Sequence, residues 1–138
     1  MADELALPKK PDGSNFKILI VDDSEFMIKN LERILTGMGA DVLDSALDGL
    51  QAVEKYKKLM PNIDLVTLDI TMPNMSGIDA LAAIRSADPK ARVVMVSALG
   101  HQDIVKTAIL KGAKHFVVKP FKAEKVFEVL KLVLSKPA

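Results

Sequence analysis

The chain has 138 residues, 49% of them apolar and 27% charged, with a net charge of +1 and no cysteine. That length suits one domain with one core, and the apolar content excludes disorder. The near-neutral balance gives no global attraction to nucleic acid or membrane, and the lack of cysteine excludes a disulfide framework and thiolate chemistry.

Residues 1–15 hold Pro8, Lys9, Lys10, Pro11, Asp12 and Gly13, a composition that resists helix and strand. They are read as a flexible N-terminal arm ahead of a domain over 16–138. No continuous apolar stretch there resembles a signal peptide, and no run approaches the ~20 apolar residues of a membrane span. A cytoplasmic location is expected.

Lys17-Ile18-Leu19-Ile20-Val21 reads as a first strand that stops at Asp22-Asp23. Met27, Ile28, Leu31, Ile34, Leu35 and Met38 then recur at helical spacing, with Ser24 as a cap and Gly39 just beyond. Asp41 to Ala46 is a weaker strand. A second helix follows, its marked positions Leu50, Val53, Tyr56 or Lys57, and Met60, closed by Pro61.

The apolar run Leu65 to Leu68 is too short for a helix; it ends on Asp69 and breaks into a turn at Pro73-Asn74. Ser76 caps a helix carrying Ile78, Leu81, Ala82 and Ile84. A fourth strand over Arg92 to Val96 ends on Ser97, and a helix runs from about Gln102 to Lys111. His115 to Val118 is the fifth strand, ending at Lys119-Pro120, and the last helix spans about Ala123 to Leu134, with Val126, Phe127, Leu130, Val133 and Leu134 facing inward.

Strands alternating with helices, and apolar at successive positions, predict a parallel sheet covered on both faces. The expected fold is α/β, a flavodoxin-like (βα)5 doubly wound parallel five-stranded sheet in the order 2-1-3-4-5, whose crevice lies at the carboxyl ends of strands 1 and 3.

Those carboxyl ends collect Asp22, Asp23, Asp69, Ser97 and Lys119. Three close carboxylates repel strongly and need cations; Lys119 supplies one charge, and an all-oxygen donor set suits Mg²⁺. Such equipment holds a phosphoryl group. Asp69 is the natural nucleophile, Asp22 and Asp23 hold the metal, and Lys119 pairs with a phosphoryl oxygen. His101 and His115 are isolated and are given no catalytic role.

The stretches Val21-Asp22-Asp23-Ser24, Leu68 to Gly77, Val96-Ser97-Ala98 and Gly112 to Phe121 together resemble the receiver domains of two-component response regulators, most of all stand-alone CheY-like ones. The resemblance spans about residues 16 to 135. It implies a phosphorylated signalling protein rather than an enzyme, with Asp69 as acceptor from a histidine kinase. Asp23, Asp69 and the Thr71 backbone carbonyl would bind Mg²⁺, Asp22 assisting through water, and Ser97 and Lys119 would contact phosphoryl oxygens. Phe116 matches the aromatic switch position, where many relatives have Tyr, and a cis peptide is implied before Pro120.

The expected readout face is the fourth helix, fifth strand and fifth helix. Residues 101–138 carry eight lysines against Asp103, Glu124 and Glu128, which favours an acidic partner segment. The expected partners are a histidine kinase, a downstream protein such as a flagellar motor switch, and a phosphatase, without nucleic acid or membrane; a monomer is expected. Chemotaxis is the leading pathway. A phosphorelay intermediate, a phosphate sink, a Mg²⁺-dependent aspartyl-phosphate hydrolase, a flavodoxin-like cofactor binder and a phosphorylation-independent binding module remain alternatives.

Overall fold

Successive residues of a strand point to opposite sheet faces, so a run that is apolar throughout must be covered twice. The computed structural model, described over residues 5–136, shows this arrangement. Its strands are β1 (Lys17–Val21), β2 (Asp41–Ala46), β3 (Leu65–Leu68), β4 (Val93–Ser97) and β5 (His115–Val118). They form one sheet of order β2-β1-β3-β4-β5 with every pairing parallel. The helices are α1 (Glu25–Gly37), α2 (Gly49–Leu59), α3 (Gly77–Ala87), α4 (Gln102–Leu110) and α5 (Ala123–Leu134).

The core divides by strand parity. Ile18, Ile20, Leu65, Val94, Val96 and Val117 pack with α1 and α5. Leu19, Val21, Val66, Leu68, Val93 and Met95 pack with α2, α3 and α4. Each fully buried aliphatic side chain contributes roughly 2 kcal/mol. β2 and β5 are the sheet edges; along β2 the register slips between Val42 and Asp44, which leaves Leu43 as the extra residue of a bulge.

Ser24 and Ser76 cap α1 and α3, each accepting from the backbone N–H three residues on. The second helix differs from expectation. Its buried face is Gly49, Ala52 and Tyr56, while Leu50 is 46% exposed and Met60 lies in a short 3-10 turn after the helix. A small-residue face lets α2 approach α3 closely, and Leu50 lies one position off that stripe. On α5, Val129 is buried while Phe127 is only partly so.

Tyr56 is fully buried and its hydroxyl donates to Asp88 Oδ2 at 2.7 Å, tying α2 to the end of α3. Burial, then the Asp88 bond and charge, push the phenol well above its ordinary pKa. Tyr56→Phe is expected to cost about 1 kcal/mol, read as a lower urea midpoint. An unchanged midpoint would mean that water serves Asp88 equally well.

Residues 5–15, part of the expected arm, touch the body at several points. Leu7 is buried and its N–H donates to Met38 O at 2.8 Å, and Lys10 pairs with Asp64 at 3.0 Å. Residues 1–4 lie outside the described residues.

Candidate functional site

The crevice predicted at the β1/β3 boundary is where the acidic residues meet. Asp22 follows β1 and Asp69 follows β3; they are 0% and 7% exposed, while Asp23 is open to solvent. One carboxylate oxygen from each of the three lies within 4.8 Å of the others. Backbone bonds fix the two buried members: Asp69 N–H donates to Val21 O at 3.1 Å, and Asp22 N–H to Ala46 O at 3.1 Å. Their side chains are held too, Asp22 Oδ1 by Ser24 N–H at 2.9 Å and Asp69 Oδ1 by Ile70 N–H at 2.7 Å.

Lys119 reaches in from the end of β5. Its Nζ donates to Asp22 Oδ2 at 2.7 Å and to Asp69 Oδ2 at 3.2 Å. Burial pulls the ammonium's pKa down, but the Asp22 hydrogen bond and the Asp69 and Asp22 charges outweigh it, and the net shift is upward. Lys119 therefore stays charged at neutral pH. The Lys119-Pro120 peptide is cis, as the resemblance implied.

Three carboxylates against one ammonium leave a formal charge of −2 in a largely buried pocket. Removing such charges from water is tolerable when a cation balances them. The donor set is all oxygen and one side of it, Asp23, faces solvent. A divalent ion that keeps some of its waters fits that geometry and charge.

Ser97 ends β4 and is fully buried, its Oγ accepting from Leu99 N–H at 3.2 Å. Phe116 on β5 is also buried, among Met95, Ala108 and Ala113. Thr71 lies in the β3–α3 turn, close to Asp69 in sequence and exposed. His101 is exposed; the half-buried His115 accepts its neighbour's backbone N–H, Phe116 N to Nδ1 at 2.9 Å.

Two groups escaped sequence reasoning. Asp48, the cap of α2, is buried and bonds Asn74 in the β3–α3 turn at 2.8 Å; a capping aspartate gives no sign in sequence of a second partner. Phe26, on the first turn of α1 near Asp23, is 80% exposed. An aromatic at that position breaks the polar face of the helix, and that was the available signal.

Comparison with known proteins gives a consistent result. A family model described as the response regulator receiver domain matches residues 18–131. The chain is 48% identical over 133 residues to the chemotaxis protein CheY of Treponema pallidum, covering 96% of this chain and 92% of that one. To the chemotaxis protein CheY of Bacillus subtilis it is 50% identical over 119 residues, covering 86% and 98%. The CheY fold in the crystal structure of a CheX-CheY-BeF3-Mg complex from Borrelia burgdorferi superposes with a TM-score of 0.89 at 50% identity, over 91% of this chain and 93% of that one.

Proposed function

The chain belongs to the family of response regulator receiver domains, and from that premise we propose that it is a chemotaxis signalling switch that takes a phosphoryl group onto Asp69 from a histidine kinase. The observation that carries this reading is the buried Asp69 carboxylate, flanked by Asp22 and Asp23 within 4.8 Å and bonded to Lys119 at 3.2 Å. CheY proteins at about half identity over most of both chains support the chemotaxis assignment.

In the transfer, an Asp69 carboxylate oxygen attacks the donor phosphorus, an acyl phosphate P–O bond forms, and the P–N bond breaks with its electron pair returning to the imidazole. Asp22, Asp23, Asp69 and the Thr71 carbonyl would hold Mg²⁺, which when bound supplies positive charge to the phosphoryl oxygens. Lys119, bonded to Asp22 and Asp69, would release a carboxylate and take a phosphoryl oxygen. The buried Ser97 oxygen accepts from Leu99 N–H, which leaves its O–H proton to be donated to the phosphoryl group. Phe26, 80% exposed and three residues after Asp23 in the chain, offers the donor an apolar contact.

Phosphorylation adds about −1.5 to −2 charge at Asp69. Ser97 joins the phosphoryl group to the end of β4, and Phe116 lies on the neighbouring β5, paired with Met95. That route leads to α4, β5 and α5, where Ile109, Val118 and Leu132 are exposed apolar residues and Lys106 and Lys125 exposed cations. The combination suits a downstream partner, such as a flagellar motor switch, whose docking segment is apolar with acidic residues.

The test is intact mass after incubation with Mg²⁺ and a small acyl-phosphate donor, with an EDTA control, followed by amide shifts on the product. One metal-dependent phosphoryl adduct is expected, with shift changes reaching α4, β5 and α5. Absence of an adduct would remove the phosphoacceptor reading in favour of a phosphorylation-independent binding module. Changes confined to the pocket would remove the readout face.

A further inference from the structure

The turn over residues 70–76 carries Thr71, and it is clamped from two sides. On the β3 side, Gly77 N–H donates to Ile70 O at 2.7 Å, and a Cβ at 77 would fall 1.8 Å from Asp69 O, so a side chain there cannot fit. On the α2 side, Gly49 N–H donates to Met75 O at 3.2 Å, and a Cβ at 49 would lie 2.3 Å from that oxygen. Between these contacts Asn74 takes the left-handed φ of 67°, a conformation asparagine tolerates better than most residues.

Asp48 joins the clamp to the helix. Its Oδ1 accepts from Gln51 N–H at 2.8 Å, capping α2, and its Oδ2 accepts from Asn74 Nδ2 at 2.8 Å. The Gln51 bond first, then the Asn74 bond, hold this carboxylate below its ordinary range. A cap needs one acceptor, which Ser, Thr or Asn supplies as well as Asp. An aspartate has a second acceptor to spend on the turn.

We propose that Asp48 and Asn74 are positioning residues of the phosphoacceptor centre, whose bond fixes the β3–α3 turn so that the Thr71 carbonyl is ready for the metal; this rests on the receiver reading above. A carbonyl on an unbraced turn must be ordered when the ion binds, and that ordering weakens affinity. Residues that orient a ligand without touching the ion change metal affinity ten- to hundredfold when removed.

The brace can be broken without losing the cap. Asp48→Asn keeps an acceptor for Gln51 N–H but sets an amide donor against the Asn74 donor. Asn74→Gly keeps the backbone conformation and the net charge while deleting the donor. Each is expected to weaken Mg²⁺ binding, measured by calorimetry on the whole chain, by about tenfold, with little change in urea midpoint. The swap Asp48→Asn with Asn74→Asp restores a donor–acceptor pair and the native charge, and is expected to recover affinity to within about threefold, the single changes being the reference.

Unchanged Mg²⁺ affinity in Asn74→Gly and Asp48→Asn, or a swap no better than Asp48→Asn alone, would overturn the inference while leaving the receiver reading intact. A native chain that bound no Mg²⁺ would overturn the reading itself, and the inference with it.

Discussion

Asp69→Asn is expected to abolish phosphoryl uptake and, at the same time, to stabilise the metal-free chain. The first effect is chemical, since an amide oxygen is no nucleophile toward phosphorus under these conditions. The second follows from the charges. Asp69 shares a space 4.8 Å across with two other carboxylates and has one ammonium at 3.2 Å. At an effective dielectric near 20, each repulsion amounts to about 3 kcal/mol and the attraction to about 5. Repulsion wins by a small margin. Asparagine keeps an acceptor for Ile70 N–H and loses the cost of burying a charge. Urea unfolding in EDTA should show a gain of about 1–2 kcal/mol, and added Mg²⁺ should stabilise the variant less than the native chain. A metal-free Asp69→Asn protein less stable than the native one would mean that the Lys119 pairing outweighs the crowding.

Lys119→Met should act in the opposite direction and more strongly. The ammonium is bonded to both buried carboxylates, and methionine fills much of the same volume while leaving Asp22 and Asp69 uncompensated. Removing one partner of a buried ion pair typically costs 3–5 kcal/mol, because the remaining charge stays buried. A loss of about 3 kcal/mol is expected in EDTA, since Lys119 retains some access to water. Saturating Mg²⁺ should return part of it, by supplying the missing charge. The same urea series run with and without Mg²⁺ gives the answer, and a variant as stable as the native chain in EDTA would show that the two acids are protonated or hydrated instead. Phosphoryl uptake should also slow, because the group proposed to receive a phosphoryl oxygen is gone.

Much of this architecture can be read from local signals. Val21-Asp22-Asp23, Leu68-Asp69 and Val118-Lys119 each show a strand ending on its candidate site residue, so topology alone brings them to one rim. The side-chain pattern of α2 was harder. Leu50, Val53, Tyr56 or Lys57, and Met60 form the apolar series, yet of these only Tyr56 belongs to the buried stripe of Gly49, Ala52 and Tyr56. Size, rather than hydropathy, decides there, because α2 must come close enough for Gly49 to meet Met75 O. Asp48 was hidden for a related reason: a sequence shows that a residue can cap a helix, but not what its second oxygen touches. The contacts of Leu7 and Lys10 were equally illegible, since an isolated leucine among prolines and lysines has no periodicity to read.

The bond between Lys119 and Asp22 joins residues 97 positions apart, and Lys119 stands at the end of an edge strand only four residues long. Among the described residues, the pocket's one ammonium is therefore delivered by the part of the sheet that the chain completes last. A ribosome-bound chain that has exposed β1 through β4 already presents its three acids without their counter-charge, so it has an unbalanced crevice and no finished switch. Loss of the β5 pairing would withdraw that cation from the two buried carboxylates and open the pocket to water.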